Sequence, residues 1–319
     1  MKALVTGASG FVGQWLTKAM LERGWAVTGA GPGDAFDAPL LAADVRSAVR
    51  WVDCDVRRSE DLARAFDAST PDVVVHLAGI AFVPGAGKDP GLAAETNVLS
   101  TVRLLGLVRE RRAAGTLDPT VLVIGSGEQY GRHDDAELPL PETAEQRPHS
   151  AYAATKSAQE VFALEAFRET GARVICTRSF NHSGPGQATH FMMPAFVSRV
   201  LALRGQPQPV LMTGNQHTVR DFLHVEDVAR AYISLLERGV PGECYNVSSG
   251  TGHSVGEIAR RVLQRVGVEA EVRADPALVR PADVPALVGD PTKLRAATGW
   301  TPARDVDAIL DDLIHAAPH

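Results

Sequence analysis

The chain has 319 residues, of which 45% are hydrophobic and 22% charged, so its length and composition fit a globular protein of about two domains with a large core. A formal net charge of −6, with no block of Lys or Arg, argues against an electrostatic grip on nucleic acid or on an anionic membrane. The three cysteines, Cys54, Cys176 and Cys244, stand far apart, so no paired zinc or redox motif is present. Because no basic, apolar leader precedes the first strand-like residues and no apolar run nears about 18 residues, the sequence predicts a cytoplasmic location.

Short runs rich in Val, Leu and Ile alternate with helix-like stretches along the first half of the chain. The predicted strands are, in chain order, residues 3–5, 26–28, 49–52, 72–76, 121–124 and 173–177. Runs such as 73–75 are apolar on both faces, as a parallel sheet covered by helices requires. The alternation predicts an α/β fold with a Rossmann-type doubly wound parallel sheet.

The regular alternation ends near residue 180, where loops rich in Gly and Pro separate shorter elements. We therefore predict a dinucleotide-binding domain over residues 1–179, to which 222–247 return, and a smaller C-terminal α/β domain over 180–319 that binds the substrate.

The first chemical motif is the run TGASGFVG at residues 6–13, between the first predicted strand and a helix that continues to about Arg23. Glycines at GxxGxxG spacing let backbone N–H groups and the positive end of the helix approach a pyrophosphate. The alternative is a glycine-rich turn without a ligand. The candidate cofactor-binding residues in this run are Gly7, Ser9, Gly10, Phe11, Val12 and Gly13.

The residues after the second strand, 30–34, contain neither an acid at the strand tip nor an arginine. An acid there would hold the ribose of NAD, and an arginine would attract the 2′-phosphate of NADP, so both cofactors stay open and the missing acid favours NADP. After the third strand, Asp55, followed by Val56, is either an acceptor for the adenine amine or an acid that caps a helix.

Tyr152 and Lys156 form a YxxxK pattern on a predicted helix over residues 151–170, where positions i and i+4 share one face. A free tyrosine has a pKa of about 10, so proton exchange at neutral pH needs a shift of about 3 units, or about 4 kcal/mol. An ammonium about 5 Å away, at an effective dielectric constant of about 20, supplies roughly 3 kcal/mol. The pattern predicts that Lys156 lowers the pKa of Tyr152, unless the pair is incidental to an amphipathic helix.

The stretch GSGEQYG at residues 125–131 follows a predicted buried strand and carries Ser126 and Glu128. An acid beside a hydroxyl is a proton-moving catalyst, an acceptor that grips the substrate, or a solvated loop residue.

Together these motifs resemble the extended short-chain dehydrogenase/reductase family, whose nucleotide-sugar enzymes carry TGxxGxxG, a strand-end Ser or Thr, YxxxK and an asparagine on a helix. The resemblance continues through HLAG at 76–79, VRDFLHVEDVA at 219–229, RPADVP at 280–285 and TGWTP at 298–302. It implies that Ser126 holds the sugar oxygen, Tyr152 transfers the proton and Lys156 holds the nicotinamide ribose. Asn97 would complete a proton relay or position the active-site helix. The turn Leu77, Ala78 and Gly79 would lie beside the cofactor.

The resemblance also implies a nucleotide-diphosphate sugar as substrate. Arg220 and Arg280 fall in segments that contact the diphosphate in the family, and guanidinium groups suit that role; the alternative for each is a surface or interdomain ion pair. Asn181 resembles the family asparagine that contacts the nucleotide, and Asp283 is a candidate acceptor for the ribose hydroxyls. No pair of histidines has ligand spacing, and hydride transfer needs no metal, so none is expected.

Four reactions of the family are open: 4-epimerisation, 4,6-dehydration, C4 keto reduction and decarboxylation. Glu128 stands where a dehydratase carries Glu, but Gly127 offers no second polar group. The segments FNHSGPGQ, TVRDF and the C-terminal residues most closely resemble the GDP-4-keto-6-deoxy-D-mannose reductases, which make GDP-D-rhamnose. Reduction is therefore the leading hypothesis, with Glu128 as an acceptor for sugar hydroxyls, and a non-catalytic nucleotide-binding module remains an alternative. The resemblance further suggests a homodimer.

Overall fold

The computed structural model describes residues 1–278 and 284–317. Its strands are β1 Lys2–Thr6, β2 Ala26–Gly31, β3 Arg50–Asp53, β4 Val73–His76, β5 Thr120–Ser126, β6 Val174–Ser179, β7 Asn181–Ser183, β8 Val210–Thr213, β9 Val219–His224, β10 Cys244–Val247, β11 Gly252–Ser254, β12 Glu271–Ala274 and β13 Ala286–Leu287.

The helices are α1 Phe11–Glu22, α2 Ala43–Ser47, α3 Ser59–Ser69, α4 Val83–Lys88, α5 Pro90–Ala94, α6 Ser100–Ala113, α7 Ala151–Thr170, α8 Met192–Ala202, α9 Val225–Arg238, α10 Val255–Val266, α11 Thr292–Thr298 and α12 Val306–Ala316. A π-helical turn covers Glu95–Leu99, and 3₁₀ turns cover Gly127–Tyr130, Asp135–Glu137 and Pro276–Leu278.

A parallel sheet of seven strands, in the order β10-β6-β5-β4-β1-β2-β3, forms the centre of the larger unit. All six predicted strands lie in it, and the predicted doubly wound fold is confirmed. Successive residues of one strand face different cores: Val73 and Val75 pack with α1 and α9, whereas Val74 packs with α3 and α6. This is why the run 73–75 is apolar on both faces.

The smaller unit contains the sheet β11-β9-β13, with β7 added beside β9, and the pair β12-β8. Helices α8, α10 and α12 cover it with a separate apolar core. The chain moves between the units more than once: β9 belongs to the small sheet and β10 to the large one, and Leu294 of α11 and Trp300 pack in the core of α1 and α9. Of the helices within the described ranges, none is long and apolar enough to cross a membrane.

Parallel strands place their carboxyl ends along one edge, and this edge positions the site. The glycine loop follows β1, the turn 77–79 follows β4, and Ser126 ends β5. Helix α7 begins beside them, with the Ser150 side chain accepting from the Ala153 amide as its N-cap.

Candidate active site

The glycine loop joins β1 to α1 in a conformation that only small residues allow. Gly7 has φ of +71°, and a Cβ on it would lie 2.9 Å from the backbone nitrogen of Ala78. A Cβ on Gly13 would overlap the carbonyl oxygen of Gly7. Helix α1 starts after Gly10, and no side chain in the described part of the chain caps it, so the amides of its first turn face the loop. This cradle suits the pyrophosphate of a dinucleotide.

The tip of β2 packs directly on the third strand. A Cβ on Gly31 would lie 2.9 Å from the Trp51 ring, and the Trp51 indole donates to the carbonyl oxygen of Gly33 at 2.7 Å. The carboxylate of Asp55 accepts from the Arg57 guanidinium at 2.9 and 2.6 Å, which lowers the pKa of Asp55. Val56 is buried in the adjoining core. The expected contact of Asp55 with adenine stays a prediction, and it would have to share the carboxylate with Arg57.

The turn after β4 connects the glycine loop to helix α7, which carries Tyr152 and Lys156. The Thr6 hydroxyl bonds the Nδ1 of His76 at 2.9 Å and accepts from the Ala78 amide at 3.2 Å. A Cβ on Gly79 would lie 2.8 Å from the Asn97 side-chain oxygen and 3.7 Å from Lys156 Nζ. Gly79 therefore permits the loop beside Leu77 and Ala78 to approach both residues.

Asn97 lies in the π-helical turn and is fully buried. Its Oδ1 accepts from the Ile80 amide at 2.8 Å, while its Nδ2 donates to the carbonyl oxygen of Ile80 at 3.2 Å and to the Thr155 hydroxyl at 2.9 Å. The side chain thus joins the β4 turn to α7. Of the two roles that the resemblance implies for Asn97, these contacts support the positioning of the helix.

Ser126 and Tyr152 form the polar centre of the site, and both are buried. The Ser126 hydroxyl accepts from the Glu128 amide at 3.2 Å, so its own proton is available to another acceptor. Burial raises the pKa of Tyr152 to about 12, with the negative charge of Glu128 adding to the rise and a hydrogen bond to Ser126 opposing it. The phenol is therefore protonated at neutral pH.

Lys156 is buried with Tyr152 on the same face of α7. Its Nζ donates to the carbonyl oxygen of Ile124 at 2.8 Å and lies 6.0 Å from the centre of the Tyr152 ring. The prediction that Lys156 lowers the pKa of Tyr152 is wrong for this structure, because burial dominates the tyrosine. Burial also lowers the pKa of Lys156 itself, to about 8.

Gly127 and Glu128 occupy the 3₁₀ turn after Ser126. A Cβ on Gly127 would lie 3.1 Å from the Phe180 ring, and the opposite side of that ring is held against Gly289. A side chain at 127 would therefore press on the Phe180 ring. Glu128 is partly exposed, and its carboxylate lies 3.9 Å from the Nε2 of His149.

Two of the substrate-side candidates, Asn181 and Arg220, lie on neighbouring strands of the smaller unit. Asn181 begins β7 and is half-buried. Its side-chain amide makes no hydrogen bond to another described residue. Arg220, on the neighbouring β9, is buried, and its Nη1 donates to the carbonyl oxygens of Val219 and Val284 at 2.9 and 2.7 Å. Arg280 and Asp283 lie outside the described residues. Within the described ranges, no group of three or more His, Cys, Asp or Glu side chains is arranged to hold a metal ion.

The family model for GDP-mannose 4,6 dehydratase matches residues 4–313, which is nearly the whole chain. The chain belongs to the GDP-mannose 4,6-dehydratase family. This places it among the extended short-chain dehydrogenases/reductases, as the motifs predict.

Proteins with different activities resemble the chain at nearly full length. It is 33% identical to GDP-6-deoxy-D-mannose reductase of Pseudomonas aeruginosa over 98% of this chain and 96% of that protein. The structure of RMD from Pseudomonas aeruginosa complexed with NADPH matches with a TM-score of 0.82 and 29% identity, covering 99% of this chain and 98% of the other. The UDP-glucose 4-epimerase of Thermus thermophilus complexed with NAD matches with a TM-score of 0.86, 29% identity and the same coverage.

Three further residues support this dehydratase-family site, and the sequence motifs did not reveal them as part of it. Gln129, Glu160 and Arg178 form a buried hydrogen-bonded group directly beneath Ser126. The sequence contains one indication of this group: Glu160 follows Lys156 by four residues and therefore shares the helix face of Tyr152 and Lys156.

Proposed function

We propose that this protein reduces the C4 ketone of a nucleotide-linked 4-keto-6-deoxy sugar with NADPH, and that the sugar is GDP-4-keto-6-deoxy-D-mannose, giving GDP-D-rhamnose. The proposal combines the family membership, the similarity to a reductase over nearly the full length and the chemistry of the residues around Tyr152. NADH is the alternative reductant.

The observation that favours reduction over dehydration is the packing at Gly127. Dehydration of a nucleotide sugar needs an acid and a base at C5 and C6 in addition to the tyrosine. The Phe180 ring packs against both Gly127 and Gly289, so it would have to shift by a few tenths of an ångström to admit a second side chain next to Glu128. A ketone reduction does not need that side chain.

Reduction at C4 requires a hydride at carbon and a proton at oxygen. A bound nicotinamide supplies the hydride, and its carbon–hydrogen electron pair becomes the new bond at C4. Tyr152, protonated in this environment, donates its proton to the oxygen, so the carbonyl becomes a secondary alcohol. Ser126 donates a hydrogen bond to the same oxygen and stabilises the negative charge that develops there. Lys156 holds the nicotinamide ribose by its ammonium group.

The cofactor and substrate assignments follow from the same arrangement. The uncapped start of α1 and the glycine cradle would hold the pyrophosphate, with Gly7, Gly10 and Gly13 giving the close approach. For the substrate, we propose Arg220 and Arg280 at the diphosphate, Asn181 at the nucleotide, Asp283 at its ribose and Glu128 at a sugar hydroxyl.

We further propose a homodimer through the outer face of α6 and α7. Helix α7 leaves Val161 and Phe162 exposed at 62% and 41%, and Leu99, just before α6, is exposed at 45%. An apolar surface beside the active-site helices is unusual for a solvated face and is suited to a second copy of the chain.

Two measurements test the function. Thermal stability in the presence of GDP, UDP and dTDP identifies the base, because binding to the native state raises the midpoint; we expect GDP to raise it most. Cofactor stoichiometry separates the reactions, since a reductase consumes one NADPH per sugar. The second candidate is 4,6-dehydration, which the carboxylate of Glu128 favours. A dehydratase regenerates its cofactor in each cycle, so the amounts of oxidised and reduced nicotinamide would stay unchanged over many turnovers.

A further inference from the structure

Three residues on one face of α7 contact the end of β5. Tyr152, Lys156 and Glu160 are spaced four residues apart, so they lie along one side of the helix. The Ser126 hydroxyl lies close enough to the Tyr152 phenol to lower its pKa, and Lys156 Nζ donates to the carbonyl oxygen of Ile124 at 2.8 Å. Glu160 contacts the same strand end through Gln129. The mechanism uses the first two and leaves the third without a role.

Gln129 connects Glu160 to the backbone of the catalytic serine. Its Oε1 accepts from the Ser126 amide at 2.8 Å, and its Nε2 donates to Glu160 Oε2 at 2.8 Å. Gln129 and Glu160 are both buried. Gly125 makes space for this arrangement, because a Cβ on Gly125 would overlap the Gln129 amide oxygen.

The charge of Glu160 decides which way the Gln129 amide points. Arg178 forms a two-pronged ion pair with Glu160, at 2.9 and 2.7 Å. Burial raises the pKa of Glu160, but the pair with Arg178 and hydrogen bonds from Gln129 and Cys244 together more than offset it, so the pKa is lowered. An ionised carboxylate only accepts hydrogen bonds. The amide NH₂ of Gln129 must therefore face Glu160, which turns the amide oxygen toward the Ser126 N–H.

We propose that Gln129, oriented by the Glu160–Arg178 pair, is a positioning residue: it fixes the Ser126 backbone so that the Ser126 hydroxyl and the Tyr152 phenol face the same substrate oxygen. The role rests on the proposed function, because it matters only if the Ser126 hydroxyl acts on the substrate oxygen. A donor that is misplaced by about 1 Å loses a large part of its effect on the transition state.

The test compares Gln129→Met with Gln146→Met, which is a matched control. Gln146 donates to the same carboxylate, at 2.6 Å from Glu160 Oε1, and accepts from Gln129 at 3.2 Å, but it makes no hydrogen bond to the active-site strand. We expect Gln129→Met to lower kcat on the order of 10- to 100-fold with KM changed little, and Gln146→Met to keep kcat within about threefold. Equal losses of kcat in both variants, in step with their thermal midpoints, would show that the group only stabilises the fold.

A double-mutant comparison tests whether Gln129 acts through Ser126. In the Ser126→Ala background, Gln129→Met should cause no further loss of kcat, because the hydroxyl that it positions is gone. Additive losses would overturn the proposal. If Gln129→Met does not fold, Glu160→Gln replaces it, since a neutral amide at 160 no longer fixes the orientation of the Gln129 amide.

Wild-type turnover tests the proposed reaction, and crystal structures test the positioning role independently of it. If the wild type reduces no keto sugar, the proposed function fails. The positioning role still requires that the Ser126 hydroxyl move away from its wild-type position beside Tyr152 in Gln129→Met and keep that position in Gln146→Met. An unchanged Ser126 in the Gln129→Met crystal structure overturns the inference even where the wild type is active.

Discussion

The ammonium group of Lys156 donates a hydrogen bond of 2.8 Å to the carbonyl oxygen of Ile124, two residues before Ser126. The contact fixes the lysine at the end of β5, and burial there lowers its pKa to about 8. Tyr152, on the same helix face, has its pKa raised to about 12. An exposed tyrosine ordinarily has a slightly lower pKa than an exposed lysine. Here Lys156 loses its proton at a lower pH than Tyr152.

This order predicts the alkaline limb of the pH profile. Lys156 is charged below about pH 8 and loses its proton above it, so kcat/KM for reduction should fall as pH rises through about 8. Tyr152 stays protonated up to about pH 12 and adds no limb in the accessible range. In Lys156→Arg, the residual activity should not fall between pH 8 and 10, because a guanidinium remains charged. If the activity of Lys156→Arg still fell between pH 8 and 10, the alkaline limb would belong to another group.

Tyr152→Phe removes the proposed proton donor and leaves the glycine cradle untouched. We expect kcat to fall roughly 10²- to 10⁴-fold while NADPH binding, followed by nicotinamide fluorescence, is retained. Tyr130→Phe is the matched control: the Tyr130 hydroxyl donates to Asn246 at 2.7 Å, away from the Ser126 hydroxyl, so it should cost about 1 kcal/mol of unfolding free energy and little kcat. Full cellular function in Tyr152→Phe would favour the non-catalytic module.

Gly127→Ala tests the packing that separates reduction from dehydration. The new methyl group would press on the Phe180 ring, which Gly289 prevents from moving away, so we expect a loss of about 1 to 3 kcal/mol in unfolding free energy. Gly87→Ala, in α4, has nothing within 4 Å of the added Cβ and should be neutral or slightly stabilising. Urea unfolding measures both. A combined Gly127→Ala and Phe180→Leu variant that recovers none of the loss would contradict the explanation.

A charged side chain in the exposed apolar face of α6 and α7 tests the proposed dimer surface. Val161→Glu on α7 should give a monomer by analytical ultracentrifugation at micromolar concentration, whereas Val240→Glu should leave the assembly unchanged. Val240 is exposed to a similar degree, 53% against 62% for Val161, but lies in the loop after α9, outside helices α6 and α7. A wild type that is monomeric at these concentrations contradicts the proposal directly.

Local patterns predicted the fold well, because each depends on a short stretch of chain. The two-faced apolar runs gave the strands of the large sheet, and the YxxxK spacing placed Tyr152 and Lys156 on one face of α7. Contacts between distant residues were not readable in the same way. Gln129 meets Glu160 across 31 positions, and Phe180 fills the space at Gly127 across 53, so neither relationship appears as a motif. The pKa of Tyr152 was predicted in the wrong direction because burial cannot be read from spacing.

The most direct test of the central claim follows the hydride itself. The purified protein is incubated with GDP-4-keto-6-deoxy-D-mannose and NADPH that carries deuterium at both C4 positions of the nicotinamide, and the sugar product is analysed by NMR and mass spectrometry. The proposed reaction predicts one deuterium at C4 of GDP-D-rhamnose and one NADP formed per sugar. A product without deuterium at C4, or no oxidation of either NADPH or NADH, would contradict it.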